Sequence, residues 1–181
     1  MSNLSIRPDS SGQTGQENGA AATISRRAAD LAQILDRNPI LDAYLLNYLA
    51  NFYVGPLLKL VDARHGLTRP EWIVVFCLSQ HDGLNAQQIG DVTGRPKSSI
   101  SHAIKLLERK KLLRRIPDPA DGRRRVLQLT AAGGSAYDDL VGFFMEREQA
   151  MLGCLTDAER RSLRKLMLKL VGHMERWAHS Y

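Results

Sequence analysis

Apolar residues recur at helical spacing along most of the chain, and one segment alternates as strands do. Leu31, Ile34 and Leu35 share one face of a short helix that ends before Pro39, since the residue ahead of a proline is pushed out of the α region. Over 40–64 the pattern is apolar on most of the circumference, which suits a helix buried between two partners. Pro56 lies inside it, where a missing N–H and a clash with the preceding turn predict a kink or a break. His65-Gly66 stops this helix. Thr68, Pro70 and Glu71 open the next one as cap, first-turn proline and dipole-favoured acid. It runs to about Gln80, with Trp72, Val75, Phe76 and Ser79 near one side. After a turn at His81-Asp82-Gly83, Asn85 caps a short helix over 86–93 with Ile89 and Val92 inward. Gly94 breaks it, and a further helix spans about Pro96 to Lys110.

Two strand-like runs follow, 113–116 and 125–129, around the turn-rich Pro117-Asp118-Pro119-Ala120-Asp121-Gly122. They read as a β-hairpin with a basic tip. Thr130 caps a helix over 131–152 despite Gly133-Gly134. The last helix opens on a capping box, Thr156 with Glu159, and Leu155 is placed for a hydrophobic staple. It carries Leu163, Leu166, Met167, Leu170 and Met174 at helical spacing. That stripe fits either a second copy of the chain or an intramolecular core. Residues 1–22 are polar and small, and read as a flexible tail. Ser25-Arg26-Arg27 is like the start of a twin-arginine export signal, but Asp30, Gln33 and Asp36 interrupt any apolar core behind it.

Composition narrows the class. The 181 residues suit one domain or two small ones, and 44% hydrophobic with 24% charged residues excludes full disorder. Two cysteines indicate no reliance on disulfides and a reducing, cytoplasmic setting. The greasiest stretch, Ile40 to Val61, is broken by Asp42, Asn47, Asn51 and Lys59, which argues against a membrane span. The net charge of +6 is unevenly placed. Between Arg95 and Arg125 eleven basic residues face three acidic ones, a net +8, whereas the other residues carry 14 basic and 16 acidic, a net −2. Charge of one sign concentrated in 31 residues points to a polyanion, nucleic acid before a membrane surface.

The helix from about 96 to 110 carries the chemistry. At about 100° per residue, Ile100, Ala103, Ile104 and Leu107 fall on one side, opposite Ser98, Ser101, His102 and Lys105. Short hydroxyls allow close approach to a DNA major groove, and imidazole and ammonium reach base edges or phosphates. An ordinary amphipathic surface helix looks similar alone. The short helix before it and the basic hairpin after it favour the DNA-reading alternative.

With these elements in place, the chain resembles the MarR family of winged helix-turn-helix regulators over roughly residues 40–175. The resemblance rests on Asp121, Arg123, Leu129-Thr130 and Gly133 in the hairpin region, and on Lys97-Ser98-Ser99-Ile100-Ser101 with Leu107-Glu108 and Leu112. His102 stands where many members carry arginine. The resemblance implies a mainly α fold with a small β-hairpin wing, a winged helix-turn-helix lobe and a helical dimerisation region. The divisions are a tail over 1–22, dimerisation helices over 23–66, the DNA-binding lobe over 67–130 and further dimerisation helices over 131–181. It implies a homodimer on a pseudo-palindromic operator, more readily a repressor than an activator. Candidate DNA-binding residues are Arg95, Lys97, Ser98, Ser99, Ser101, His102 and Lys105, with Asp121, Arg123, Arg124 and Arg125 on the wing. Asp121 would repel phosphate, so its expected task is to hold an arginine or the turn itself.

Regulators of this kind often answer to a small aromatic or phenolic acid. Tyr44, Asn47, Tyr48, Asn51, Arg64 and Trp72 are candidate effector-binding residues; for Asn47 and Asn51 the alternative is bonding to neighbours across a dimer. His65, His81, His102, His173 and His179 show no metal-ligand spacing, so no metal or other cofactor is expected. Cys77 reads as core and Cys154 as the more accessible thiol. There is no nucleophile elbow, phosphate-binding glycine loop or paired histidine on a helix, and Ser98-Ser99 has only His102 nearby, so catalysis is not expected.

Overall fold

The computed structural model describes residues 29–118 and 120–178. The expected tail, the Ser25-Arg26-Arg27 motif, Pro119 and His179 lie outside the described residues. The chain packs as two compact units, one ending at Leu49 and one beginning at Ala50. In the first, helix α1 (29–35) gives way to a turn in which Asn38 Oδ1 accepts from the Ile40 N–H at 2.9 Å. Helix α2 (Leu41–His65) starts in this unit and continues through the second.

The second unit adds α3 (Arg69–Gln80), α4 (Ala86–Thr93), α5 (Lys97–Arg109), strands β1 (Leu113–Pro117) and β2 (Arg125–Leu129), α6 (Ala131–Leu152) and α7 (Asp157–Gly172). A short 3-10 turn, Met174–Arg176, follows. The strands pair antiparallel with Leu113 opposite Leu129 and Pro117 opposite Arg125. Val61, Leu67, Val74, Val75, Leu78, Ile89, Ile100, Ile104, Leu107, Leu113, Leu127 and Leu140 form one buried core under this lobe. At about 25 cal/mol per Å² of apolar surface, such residues supply the main force holding α3, α4, α5 and the hairpin together.

One expectation is narrowed and another corrected. Of the kink or break expected at Pro56, the break does not occur, and helix α2 is continuous through it. Proline deprives the Phe52 carbonyl of its helical donor, and Arg147 on α6 supplies one: Nη2 donates to Phe52 O at 2.6 Å and Nε to Tyr53 O at 2.8 Å. The freed acceptor is thus served from another helix. Second, Val92 points outward, 69% exposed, and only Ile89 and Gly90 of α4 are buried. Gly90 lies where a Cβ would come within 3.3 Å of the Arg95 carbonyl, so α4 meets the next turn by backbone rather than by a valine.

Candidate nucleic-acid interface

The α4–α5 pair is built by local signals. Asn85 and Gln88 form a reciprocal capping box at 2.9 and 3.0 Å. Gly94, at φ +64°, turns the chain, and the Arg95 N–H bonds back to Gly90 O at 3.2 Å. Helix α5 then buries Ile100, Ala103, Ile104 and Leu107 to 1% exposure or less. The remaining candidates divide by depth. Lys97, Ser98, His102 and Lys105 are exposed, while Arg95, Ser99 and Ser101 are half-buried. Burial, then the like charge of Arg69, pulls the Arg95 guanidinium below its ordinary value.

The wing tip is held by its acids. Asp118 Oδ1 accepts from the Ala120 N–H at 2.9 Å, and Asp121 Oδ1 from the Arg123 N–H at 3.1 Å. Asp121 also accepts the Arg124 N–H through its carbonyl at 2.8 Å. Of the two tasks expected of Asp121, the structure has it holding the turn backbone. Arg123, Arg124 and Arg125 are exposed. The wing is tied to α5 by Arg115, whose Nε donates to Glu108 Oε1 at 2.9 Å.

Three of the eleven cations of the basic segment are turned to protein groups. Besides Arg115, Arg114 donates to Gln128 Oε1 at 2.6 and 3.0 Å. Lys110 Nζ donates to Glu71 Oε1 at 2.6 Å and to Gly66 O at 2.7 Å. Glu71 is fully buried, and its Oε2 accepts the backbone N–H and hydroxyl of Thr68, each at 2.8 Å. Burial alone pushes its carboxyl up, but the bonds from Lys110 and Thr68 outweigh it, and the group sits below the ordinary carboxylate value. The sequence marked Glu71 only as a first-turn acid; a partner 39 positions away leaves no local signal.

A cavity of about 390 Å³ lies beside this lobe, lined by Tyr53, Val54 and Leu58 of α2, by Arg69, Trp72, Ile73 and Phe76 of α3, and by Val141, Phe144, Met145 and Glu148 of α6. Trp72 stacks on Phe144 at 4.8 Å between centroids, with Tyr137 beyond at 6.0 Å. The Tyr53 hydroxyl donates to Phe144 O at 3.2 Å; burial, then the Glu148 charge, pushes its pKa up. Of the six effector candidates, Trp72 lines this cavity. Tyr44 and Tyr48 stack on each other at 6.1 Å, and Asn47 and Asn51 are exposed. Arg64 is engaged elsewhere, donating to Asp139 Oδ1 at 2.6 Å with its guanidinium 4.9 Å from the Phe143 ring centre. The lining missed by sequence reading was visible as two stripes at i, i+3, i+4, i+7: residues 69, 72, 73, 76 and 141, 144, 145, 148.

Among the described residues no group of three potential ligands is placed to hold a metal, and no helix is long and apolar enough to cross a membrane. Cys77 is half-buried, and burial pushes its thiol up; Cys154 is exposed.

A helix presented on a helix-turn-helix lobe, with a basic hairpin tied beside it, defines the winged helix-turn-helix class of DNA-binding regulators. The MarR family model matches residues 65–124. A MarR/EmrR family transcriptional regulator from Acinetobacter sp. ADP1 superposes with a TM-score of 0.68 at 27% identity, covering 78% of this chain and 98% of that one. The PcaV transcriptional regulator of Streptomyces coelicolor, solved with its natural ligand, gives 0.59 at 25% identity over 76% and 94%. The transcriptional regulator HosA of Escherichia coli O111:H- is 26% identical over 105 residues, 58% of this chain and 78% of that one. The chain is thus similar to MarR family transcriptional regulators, by the family model over residues 65–124 and by fold over about three quarters of its length.

Proposed function

We propose that two copies of this chain bind a pseudo-palindromic operator, that they act as a repressor in the cytoplasm, and that a small aromatic or phenolic acid releases them. The carrying observation is α5, one face of which is wholly buried while the other offers Ser98, Ser101, His102 and Lys105. These residues read base edges, with Ser99, Arg95 and Lys97 at phosphates, and Arg123 to Arg125 reach the backbone or minor groove. Asp121 acts by fixing the wing turn. Residues 67–130 form the reading lobe, and 23–66 with 131–181 form the dimerisation region. Leu166, Leu168, Leu170, Val171 and Trp177 each expose more than half their surface, as does Met145 on α6, and a second copy removes that apolar area from water. Occupying a promoter suffices for repression. The cavity offers aromatic walls and the Arg69 cation for a carboxylate, and a ligand there favours a dimer whose heads no longer match the groove spacing.

Operator selection from a random duplex pool tests the reading, followed by sedimentation of the complex and binding to every single-base variant. Two protomers per duplex with half-site centres about one turn, ~10 bp, apart are expected. His102→Ala should lose discrimination at particular base pairs by about 1–3 kcal/mol, whereas Arg123→Ala should weaken all variants alike. A monomer on an asymmetric site would overturn the dimer. A panel of aromatic acids that neither raises the melting temperature nor releases DNA would overturn the effector.

A further inference from the structure

The Lys110–Glu71 pair is an unusual use of charge. Glu71 is fully buried on the first turn of α3, and Lys110 is the residue at which α5 ends. The ammonium donates to Glu71 Oε1 at 2.6 Å and also to the carbonyl of Gly66, the left-handed residue (φ +58°) that stops α2. The same carboxylate takes both donors of Thr68, the cap of α3. One ion pair therefore joins the end of α2, the start of α3 and the end of α5. Lys110 keeps about 35% of its side chain exposed, between the exposed Arg109 and Lys111, yet its ammonium is spent on the buried Glu71. Buried ion pairs are weak contributors to stability compared with apolar residues of equal volume, because desolvation offsets the attraction. What a short, fully bonded pair supplies is a fixed geometry.

We propose that Lys110 and Glu71 are positioning residues for operator recognition: by clamping the end of α5 to the α2–α3 joint, they set where the reading helix lies relative to the helix leading to the second protomer. This rests on the dimeric, DNA-reading function proposed above. The clamp converts half-site spacing into a property of the protein. It predicts that weakening the pair relaxes the preferred spacing without removing a DNA contact.

The test uses the full chain and the operator enriched by the wild-type protein from a random duplex pool. Duplexes with the half-sites moved one base pair closer or further, and a duplex of unrelated sequence, complete the set. In Lys110→Met/Glu71→Gln, which leaves no lone buried charge, operator affinity should fall on the order of tenfold and the three spacings should bind within about twofold of one another. Affinity for the unrelated duplex and the slope of log affinity against log salt should stay as in wild type. If Lys110 instead met a phosphate, both duplexes would weaken together and the slope would shrink by about two for a dimer, which overturns the proposal. Unchanged operator affinity and spacing preference also overturn it. Should the double variant fail to fold, Glu71→Asp draws the carboxylate one methylene away from Lys110 and so weakens the pair; a retained spacing preference there counts equally against the proposal. A wild-type chain that enriches no sequence overturns the regulator reading itself, and this inference with it.

Discussion

Lys111 adopts φ +59° directly after α5 ends. Its N–H bonds to Glu108 O and that of Leu112 to Leu107 O, each at 3.0 Å, the paired closure for which glycine is the usual residue. A side chain there costs about 1–2 kcal/mol, partly offset in Lys111→Gly by the greater freedom of an unfolded glycine. Lys111→Gly should therefore gain about 0.5–1 kcal/mol over Lys111→Ala, which removes the same charge without relieving the strain. Equal urea midpoints for the two variants would refute the strain. Gly133 shows the opposite constraint. A Cβ there would collide with the Leu112 carbonyl, which is itself pinned by the Thr130 N–H at 3.1 Å. Gly133→Ala should cost about 1–3 kcal/mol in the same assay. Neither effect was legible in the sequence. Lys111 reads as one more basic residue, since its φ leaves no mark in the sequence, and Gly133 carries the family resemblance without a reason, since the Leu112 carbonyl that excludes a side chain lies 21 positions away.

Two of the sutures between helices α2 and α6 can be measured. Arg147→Ala removes two charge-assisted bonds to carbonyls and should destabilise by about 2–3 kcal/mol. In a Pro56→Ala background, residue 56 again offers Phe52 O a helical N–H, so the same substitution should cost about 1 kcal/mol less. A double-mutant cycle by urea unfolding checks this, and zero coupling would mean that the arginine does not answer the proline. The second suture is Asp139, which accepts from Arg64 at 2.6 Å and from His65 at 2.9 Å. Those two bonds hold its carboxyl below the ordinary value. The contribution is therefore complete above about pH 4 and is lost as pH falls through the folded-state value. Asp139→Asn should flatten the acid side of a plot of melting temperature against pH. The helices themselves, their caps and the hairpin followed from periodicity and turn chemistry. Which helix serves which did not, since Pro56 and Arg147 are far apart in the chain and each looks complete alone.

Salt dependence gathers the charge into one measurable quantity. If a dimer neutralises six to ten phosphates, affinity should fall on the order of 10³–10⁵-fold between about 50 and 200 mM salt. The structure refines which cations count. Arg115→Ala should leave the salt slope nearly intact, because Glu108 already holds that guanidinium, while Arg123→Ala should reduce it. A larger loss from Arg115→Ala would mean the pair opens on DNA. The surface proposed to read DNA is the one the sequence marks most clearly. A polyanion partner imposes one sign of charge over a continuous stretch, and a groove-lying helix imposes small polar residues at a fixed period. The cavity was the least legible, because it is bounded by three helices whose mutual rotation no single stretch of sequence encodes.

The proline in α2 also has a meaning in time. Its orphaned carbonyl is answered by an arginine 95 positions further on, so a chain emerging from the ribosome carries the question long before the answer. The lobe of α3 to α5 and the hairpin, whose own elements are all made by residue 130 although α6 later adds Leu140 to its core, can settle first, while the long helix beside it stays soft at its middle. Only when α6 arrives does the helix stiffen. A stalled nascent chain ending before residue 131 should thus show protected amides in α3 to α5 but open ones around Pro56, and the molecule acquires its reading head before it acquires the arm that aims it.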